Sequence, residues 1–273
     1  MLPALSFIGG GNMARSLIGG LASRGVRADT ITVSDPVAAQ RETLERQFGV
    51  RTTPDNKDAA AAGEVIVLAV KPQELRLAVK EIAPLLAGQR KLLISIAAGV
   101  RAGDIERWSG GAPLVRCMPN RPALNGCGIT ALYATHGVSA RERTLAEQIL
   151  GAVGATLWVD EEGHMDAVTA ISGSGPAYFF LLIEMLEQTG VALGLTPEVS
   201  RKLAVETAYG AGSMARAATD SAAVLREQVT SKGGTTEAAL RYLESQNIRD
   251  VFAGAVTAAA RRSAELADQL GGD

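Results

Sequence analysis

Two glycine-rich stretches hold the residue types on which chemistry could be built. The first is Gly9-Gly-Gly-Asn-Met-Ala14, directly behind the apolar run at residues 5–8. With a helical pattern following at 13–24, this is the G-x-G-x-x-A spacing of a dinucleotide fingerprint in the strand–turn–helix context that it requires. Gly9 makes the tight turn, Gly11 lets a pyrophosphate approach the backbone, and Ala14 lets the helix lie close on the strand. The second stretch is Val229-Thr-Ser-Lys-Gly-Gly-Thr-Thr-Glu237, a loop that enters a helix. Gly233 and Gly234 allow backbone shapes closed to other residues. Thr235 or Thr236 is expected as the helix N-cap, and Glu237 suits the positive first turn. Such a loop aims free N–H groups, two hydroxyls and a partial positive charge at one place, enough to hold a small carboxylate without an arginine. Taken alone, it reads equally well as a capped surface helix.

The elements that must position these stretches alternate strand and helix through the first half of the chain. A second strand at 30–34 ends in Asp35-Pro36. An acid at that place commonly accepts the adenosine ribose hydroxyls and favours NADH, whereas Ser34, Arg41, Asn56 and Lys57 would tolerate a 2′-phosphate. The alternative is that Asp35 only caps the next helix. Helices are expected at Ala38–Phe48 and 57–62, with a weak strand near Val50 between them. The unbroken apolar run at 64–70 predicts a buried parallel strand. It ends in Ala69-Val-Lys-Pro72, with Pro72 opening a helix to residue 86, and a strand at 91–97 ends at Ala97. Ligands of open parallel sheets sit at the carboxyl ends of the strands, so residues 69–72 and Ala97 are expected along the cofactor crevice. Lys71 also reads as a plain solvated strand-end lysine. Strands at 114–118 and 128–133 flank the rigid turn Pro119-Asn-Arg-Pro122, and a helix at 139–152 and a strand at 156–159 complete a doubly wound sheet.

After Asp160 the strand signals stop. The expected division is a Rossmann-type domain over residues 1–160 and an all-α domain over 161–273, giving an α/β fold followed by a helical bundle. Helices are expected at 177–193, 197–218, 222–228, just after the second glycine stretch, and at 249–270. The helix at 177–193 is apolar nearly all round and must be buried. A helical domain this small points to burial against a second subunit, rather than at the centre of its own bundle.

Composition excludes other classes. The chain of 273 residues has a net charge of −2 and no basic run, against nucleic acid as a main partner. No signal peptide is evident, and the apolar runs are strand-length, against a membrane span. Cys117 and Cys127 make no disulfide framework or zinc site; both are expected as buried small hydrophobes in a reducing cytoplasm.

Six separated motifs then coincide in order. They are Phe7-Ile-Gly-Gly-Gly-Asn-Met-Ala14, Leu68-Ala-Val-Lys-Pro-Gln73, Ser95-Ile-Ala-Ala-Gly-Val100, Arg116-Cys-Met-Pro-Asn120, Ala167-Val-Thr-Ala-Ile-Ser-Gly-Ser-Gly-Pro-Ala-Tyr178 and Val229-Thr-Ser-Lys-Gly-Gly-Thr-Thr236. Together they resemble the pyrroline-5-carboxylate reductases over nearly the whole chain. The resemblance implies hydride transfer from NADPH or NADH to a cyclic imine, 1-pyrroline-5-carboxylate, giving proline in the cytoplasm. It implies a homodimer built on the helical domain, or a larger ring of dimers. It places cofactor contacts at Gly9, Gly11, Asn12, Met13, Ser34 or Asp35 with Pro36, Asn56, Ala69, Val70, Lys71, Pro72 and Ala97. Substrate contacts fall at Glu162, Ser231, Gly233, Gly234, Thr235 and Thr236, with the Thr236 hydroxyl on the ring nitrogen. Lys232 stands where the family usually has proline, and Arg121 where it often has threonine.

The residues suit that chemistry. A pyrrolinium C=N is already electrophilic and needs a hydride at the right distance and angle rather than a strong acid, nucleophile or metal. His136 and His164 read as structural. A hydroxyacid dehydrogenase would place a lysine soon after a glycine motif such as Ser172–Gly175, but no lysine occurs between Lys91 and Lys202. A non-catalytic nicotinamide sensor would leave the second glycine stretch idle. A reductase of a related cyclic imine stays open, because ring size is set by packing.

Overall fold

A computed structural model of the chain describes residues 2–271. Packing divides the chain into two compact units: residues to Gly173 together with those from Ala259, and Ser174–Ala258. The change from strands to helices falls earlier, after Trp158.

In the first unit, eight strands form one sheet: β1 Leu5–Ile8, β2 Ile31–Ser34, β3 Arg51–Thr53, β4 Val65–Leu68, β5 Leu92–Ser95, β6 Leu114–Pro119, β7 Gly128–Ala134 and β8 Gly154–Trp158. Their order is β3-β2-β1-β4-β5-β6-β7-β8, with β6 and β7 antiparallel and the other neighbours parallel. The helices of this unit are α1 Asn12–Ser23, α2 Ala38–Phe48, α3 Asn56–Ala62, α4 Pro72–Leu86, α5 Ala102–Ser109, α6 Ala140–Leu150 and the short α7 His164–Val168. Both faces of the sheet are covered, which is why the central strands read as continuous apolar runs. Leu5, Phe7, Val67 and Ile94 join one core with Leu17, Ile18 and Ile149. Their strand neighbours Ile8, Ile66, Leu68 and Leu93 join the other, with Leu75, Val79 and Ile105.

Two expectations are corrected in this unit. The stretch between β5 and β6, in which no helix was expected, holds α5, which buries Ile105 and Trp108 and stops at Gly110 in the left-handed region (φ 76°). Eight residues are too few for a helical period to stand out. Cys117 is buried, where burial pushes its thiol well up against the opposing charge of Arg116. Cys127 is exposed instead, because it follows Gly126 in the tight turn that opens β7.

The second unit contains α8 Gly175–Ala192, α9 Pro197–Ala217, α10 Ala222–Gln228, α11 Thr235–Ser245 and the start of α12 Ile248–Leu270, whose end belongs to the first unit. The helices α8 and α9 approach closely where Gly190 faces Ser200: a Cβ on Gly190 would sit 2.7 Å from the Ser200 hydroxyl. Tyr178 meets Phe252 edge-on, with centroids 5.6 Å apart. Within one chain α8 is not the centre of a bundle. Phe179 and Phe180 are 64% and 63% exposed, and Leu181, Leu182, Met185 and Leu186 are exposed as well. By length and composition the helical stretch His164–Ala192 also passes for a membrane span, at a mean hydropathy of 1.2. The expectation of strand-length apolar runs missed this because it counted uninterrupted residues, whereas an average over eighteen residues absorbs isolated polar ones.

The start of α6 ties the first unit together electrostatically. Ser139 and Glu142 form a reciprocal capping box, and the Glu142 carboxylate also takes Arg90 Nη2 at 2.7 Å and Nε at 3.1 Å. Burial pushes the Glu142 carboxyl up, but hydrogen bonds from Ser139 and Arg90 outweigh it and hold the group below the usual carboxylate range. A depressed folded pKa adds stability that is present above the unfolded value, about 4.3, and lost as pH falls through the folded one. Denaturant unfolding of Glu142→Gln is therefore expected to show a deficit at pH 7 that shrinks towards zero below about pH 4. A deficit independent of pH would show that the charge does not contribute.

Candidate functional site

The carboxyl ends of β2, β1, β4 and β5 lie side by side, since Ile8 is in register with Ser34 and Leu68, and Leu68 with Ser95. Gly9, Asp35, Ala69 and Ile96 follow directly, so the residues singled out around them share one sheet edge. Gly9 stands at φ 100°, and a Cβ there would meet the Ala69 carbonyl at 2.8 Å. Its N–H donates to Ser34 O at 2.8 Å, and the Ala69 N–H to Ile8 O at 2.8 Å, which stitches three strand ends together. Only glycine satisfies both the angle and the space.

Gly11 has the opposite surroundings. A Cβ on it would meet nothing within 4 Å, and it caps α1 with no side chain. The N–H groups of Asn12 and Met13 therefore have no acceptor inside the helix. Open donors, a positive helix end and free space in front of the backbone suit a diphosphate.

Ser34 and Asn56 are joined at the adenosine end: the Ser34 hydroxyl donates to Asn56 Oδ1 at 2.8 Å, and the Asn56 amide donates to Glu81 Oε2 at 2.8 Å. Asp35 faces the glycine turn. Its Oδ2 accepts the Gly10 N–H at 2.9 Å and its Oδ1 the Val37 N–H at 2.8 Å, just before α2. The carboxylate thus shapes the glycine turn and the entry to α2, at the sheet edge where the ribose reading also places it. Arg41 Nη1 donates to the carbonyls of Asp35 at 2.7 Å and Pro36 at 3.1 Å. Lys71 is exposed at the start of α4, Pro72 is its first residue, and Ala97 is buried behind β5.

Glu162 lies in the first unit in a network that sequence reasoning missed. Its Oε1 accepts Arg116 Nη1 at 2.6 Å and the Ala102 N–H at 2.5 Å, so it ties β6 to the start of α5. Asn120, quoted above only within a motif, accepts the Ile129 N–H at 2.9 Å and donates to Ser172 O at 3.2 Å. It anchors the widened, π-type turn Thr169–Gly173 that precedes α8. Its sequence signal was an asparagine directly behind the proline that ends β6. His164 is exposed at the start of α7, and His136 is exposed as well.

The second glycine stretch forms one loop in the second unit. The N-cap of α11 is Gly234, with no side-chain cap, rather than Thr235 or Thr236. The chain enters the helix one residue early because Gly233 turns at φ 75° and Gly234 is tucked under Ser231, whose hydroxyl lies 2.6 Å from where a Cβ would be. Two expected free donors are in use: the Gly234 N–H bonds Ser231 O at 3.0 Å, and the Gly233 N–H bonds Glu237 Oε2 at 2.7 Å. The first bond back into the helix runs from Ala238 N to Gly234 O, so the N–H groups of Thr235, Thr236 and Glu237 have no partner within it.

A doubly wound sheet with an open glycine turn at its carboxyl edge is the arrangement of a nicotinamide-dependent oxidoreductase, and the open start of α11 suits a small carboxylate. Residues 4–99 match the family model described as NADP oxidoreductase coenzyme F420-dependent, and residues 162–266 match pyrroline-5-carboxylate reductase dimerisation. A pyrroline-5-carboxylate reductase of Pseudomonas aeruginosa is 47% identical over 270 residues, covering 98% of each chain. The chain therefore belongs to the pyrroline-5-carboxylate reductase family. Among solved structures, the Coxiella burnetii enzyme superposes with a TM-score of 0.94 at 41% identity, covering 97% of this chain and 99% of that one. The Plasmodium falciparum enzyme, with NADP bound, reaches 0.84 at 30% identity, covering 97% and 98%.

The position of Asp35 yields a measurable consequence. Asparagine keeps an acceptor for one backbone N–H and removes the charge that opposes a 2′-phosphate. Asp35→Asn is expected to improve the KM for NADPH relative to NADH by about threefold or more, the scale of a screened charge pair near the surface. Parallel kinetics with an unchanged ratio would restrict Asp35 to shaping the turn.

Proposed function

We propose that the chain reduces the C=N bond of 1-pyrroline-5-carboxylate to give L-proline, the last step of proline biosynthesis, with NADPH or NADH as the hydride source. The nicotinamide supplies a hydride to the imine carbon; the ring nitrogen keeps its proton and becomes the amine. Gly11, Asn12 and Met13 hold the diphosphate through backbone N–H groups, and Gly9, whose own N–H is on Ser34 O, makes the turn that brings the diphosphate close. Ser34, Asp35, Pro36 and Asn56 line the adenosine end, and Ala69, Val70, Lys71, Pro72 and Ala97 carry the remainder of the cofactor. The N–H groups of Thr235 and Thr236 hold the substrate carboxylate, Ser231, Gly233 and Gly234 shape the loop around it, and the Thr236 hydroxyl orients the ring nitrogen. Glu162 stays on the substrate side by resemblance alone, its Oε1 being committed to Arg116 and Ala102.

The observation that carries this reading is the open helix start at Thr235–Glu237 behind two glycines, an anion site that needs no arginine. The deciding assay is oxidation of NADPH and of NADH, separately, with pyrroline-5-carboxylate. Thr236→Ala is expected to lower the rate about ten- to a hundredfold, the scale of one lost hydrogen bond to a charged group, and Thr236→Ser to recover most of it. An alanine variant with wild-type kinetics would remove Thr236 from the site.

We also infer that residues 161–273 serve substrate binding and dimerisation, with α8 as the buried heart of a homodimer that joins others in a ring. Its exposed apolar side chains would each cost about 1.5–3 kcal/mol if left in water. An interface also accounts for the apolar stretch without a membrane, and so supports a cytoplasmic setting. Leu182→Glu is expected to dissociate or unfold the dimer and abolish activity together. Light scattering on dilution gives the gentler test: a fully active wild-type monomer would overturn the assignment.

A further inference from the structure

The carboxylate of Glu237 occupies an unusual place beside the loop Ser231–Thr236. In a reciprocal capping box the acid at the third helical position bonds the N–H of the N-cap residue, as Glu142 does at Ser139. In α11 the third position is Glu237, but its Oε2 takes the N–H of Gly233, one residue before the cap, at 2.7 Å. The N–H of the cap residue, Gly234, turns back to Ser231 O. The box is displaced by one residue, and the displacement has two effects.

It fixes Gly233 in the left-handed region, at φ 75°, where the chain makes the sharp turn into the helix. It also leaves the three following N–H groups, those of Thr235, Thr236 and Glu237, unclaimed by any cap, since Gly234 has no side chain to offer. The acid is not spent on the donors a ligand would use. Its Oε2 also lies 3.6 Å from Arg241 Nη2 one helical turn on, a cation that partly offsets the charge of a carboxylate beside an anion site.

We propose that Glu237 is a positioning residue for the substrate carboxylate: its hydrogen bond to the Gly233 N–H holds the loop in the shape that presents the open donors of α11. This rests on the reading that the loop binds that carboxylate. Two roles are separable. If Glu237 positions the loop, losing it weakens substrate binding; if it competes with the substrate for the loop, losing it strengthens binding.

The test is steady-state kinetics of the full-length protein with pyrroline-5-carboxylate at saturating NADPH, with light scattering to show that assembly is unchanged. Glu237→Ala is expected to raise the KM for the imine about five- to tenfold, the scale of one ordinary hydrogen bond at an exposed site, with kcat within about twofold and the KM for NADPH unchanged. Glu237→Gln keeps an acceptor at the same reach and is expected to restore KM to within about twofold. Should the alanine variant fail to fold, Glu237→Asp replaces it: one methylene shorter, its carboxylate falls short of the Gly233 N–H, and KM is expected to rise as for alanine.

An unchanged or lowered KM in Glu237→Ala overturns the proposal, the lowered value marking a competitor. A glutamine variant as impaired as alanine overturns it too, since charge rather than the hydrogen bond would then matter. Thr236→Ala in the same assay separates the proposal from the reading beneath it. If that variant is impaired while Glu237→Ala is not, only the positioning role fails. If neither variant changes the kinetics, both the positioning role and the role of the Thr236 hydroxyl fail.

Discussion

An α-helix cannot satisfy the N–H groups of its own first turn, and both of the proposed binding loops depend on that deficit. Four helices close the deficit with a capping side chain, Asp55 at α3, Ser139 at α6, Thr196 at α9 and Ser221 at α10, whereas α2, α4, α5, α7 and α8 have no side-chain cap bond. At α1 and α11 the cap is glycine, Gly11 and Gly234, and no side chain closes the end. The sheet and the helical unit can be read as two scaffolds that each hold one uncapped helix start where an anion can reach it. Gly9 makes the first of these possible by letting β1 and β4 come within one carbonyl's breadth of the turn.

The second constraint is area. A unit of four helices and part of a fifth has too little interior to enclose α8, and the exposed Phe179, Phe180 and Leu182 show that it does not. The match to a dimerisation family over residues 162–266 gives that surface a purpose. That matched stretch contains the whole of α8.

Much of this was legible in the sequence. Strand positions followed from unbroken apolar runs, because a parallel sheet covered on both faces permits no polar alternation. The glycine turn was legible because its spacing is set by sterics that no other residue satisfies. What could not be read was which way a polar side chain turns. Asp35 spends its carboxylate on two backbone N–H groups, Glu162 spends an oxygen on Arg116 and Ala102, and Glu237 bonds Gly233, each a choice made by neighbours distant in sequence or by the exact pitch of a turn. The N-cap of α11 was misplaced for the same reason: threonine has the higher propensity, but the turn at Gly233 starts the helix before either threonine can cap it. The helix α5 was missed because eight residues give periodicity too little length.

The end of α12 gives the chain a topology that its linear order conceals. Ser263 bonds Asp166 at 2.6 Å, Asp268 takes Arg101 at 2.6 Å, and Leu270 packs against the core behind β5. The chain thus leaves the nucleotide unit after Gly173 and comes back to it at Ala259. The helical unit is in effect an insertion, tethered at both ends, rather than an appended tail. Closing that excursion restricts the freedom of the inserted segment before any of its own contacts form, and the entropy of closure grows only slowly with its length. Such an arrangement tolerates drift in the size of the insert far better than loss of the final helical turns, which are part of the nucleotide fold although they come last in the sequence.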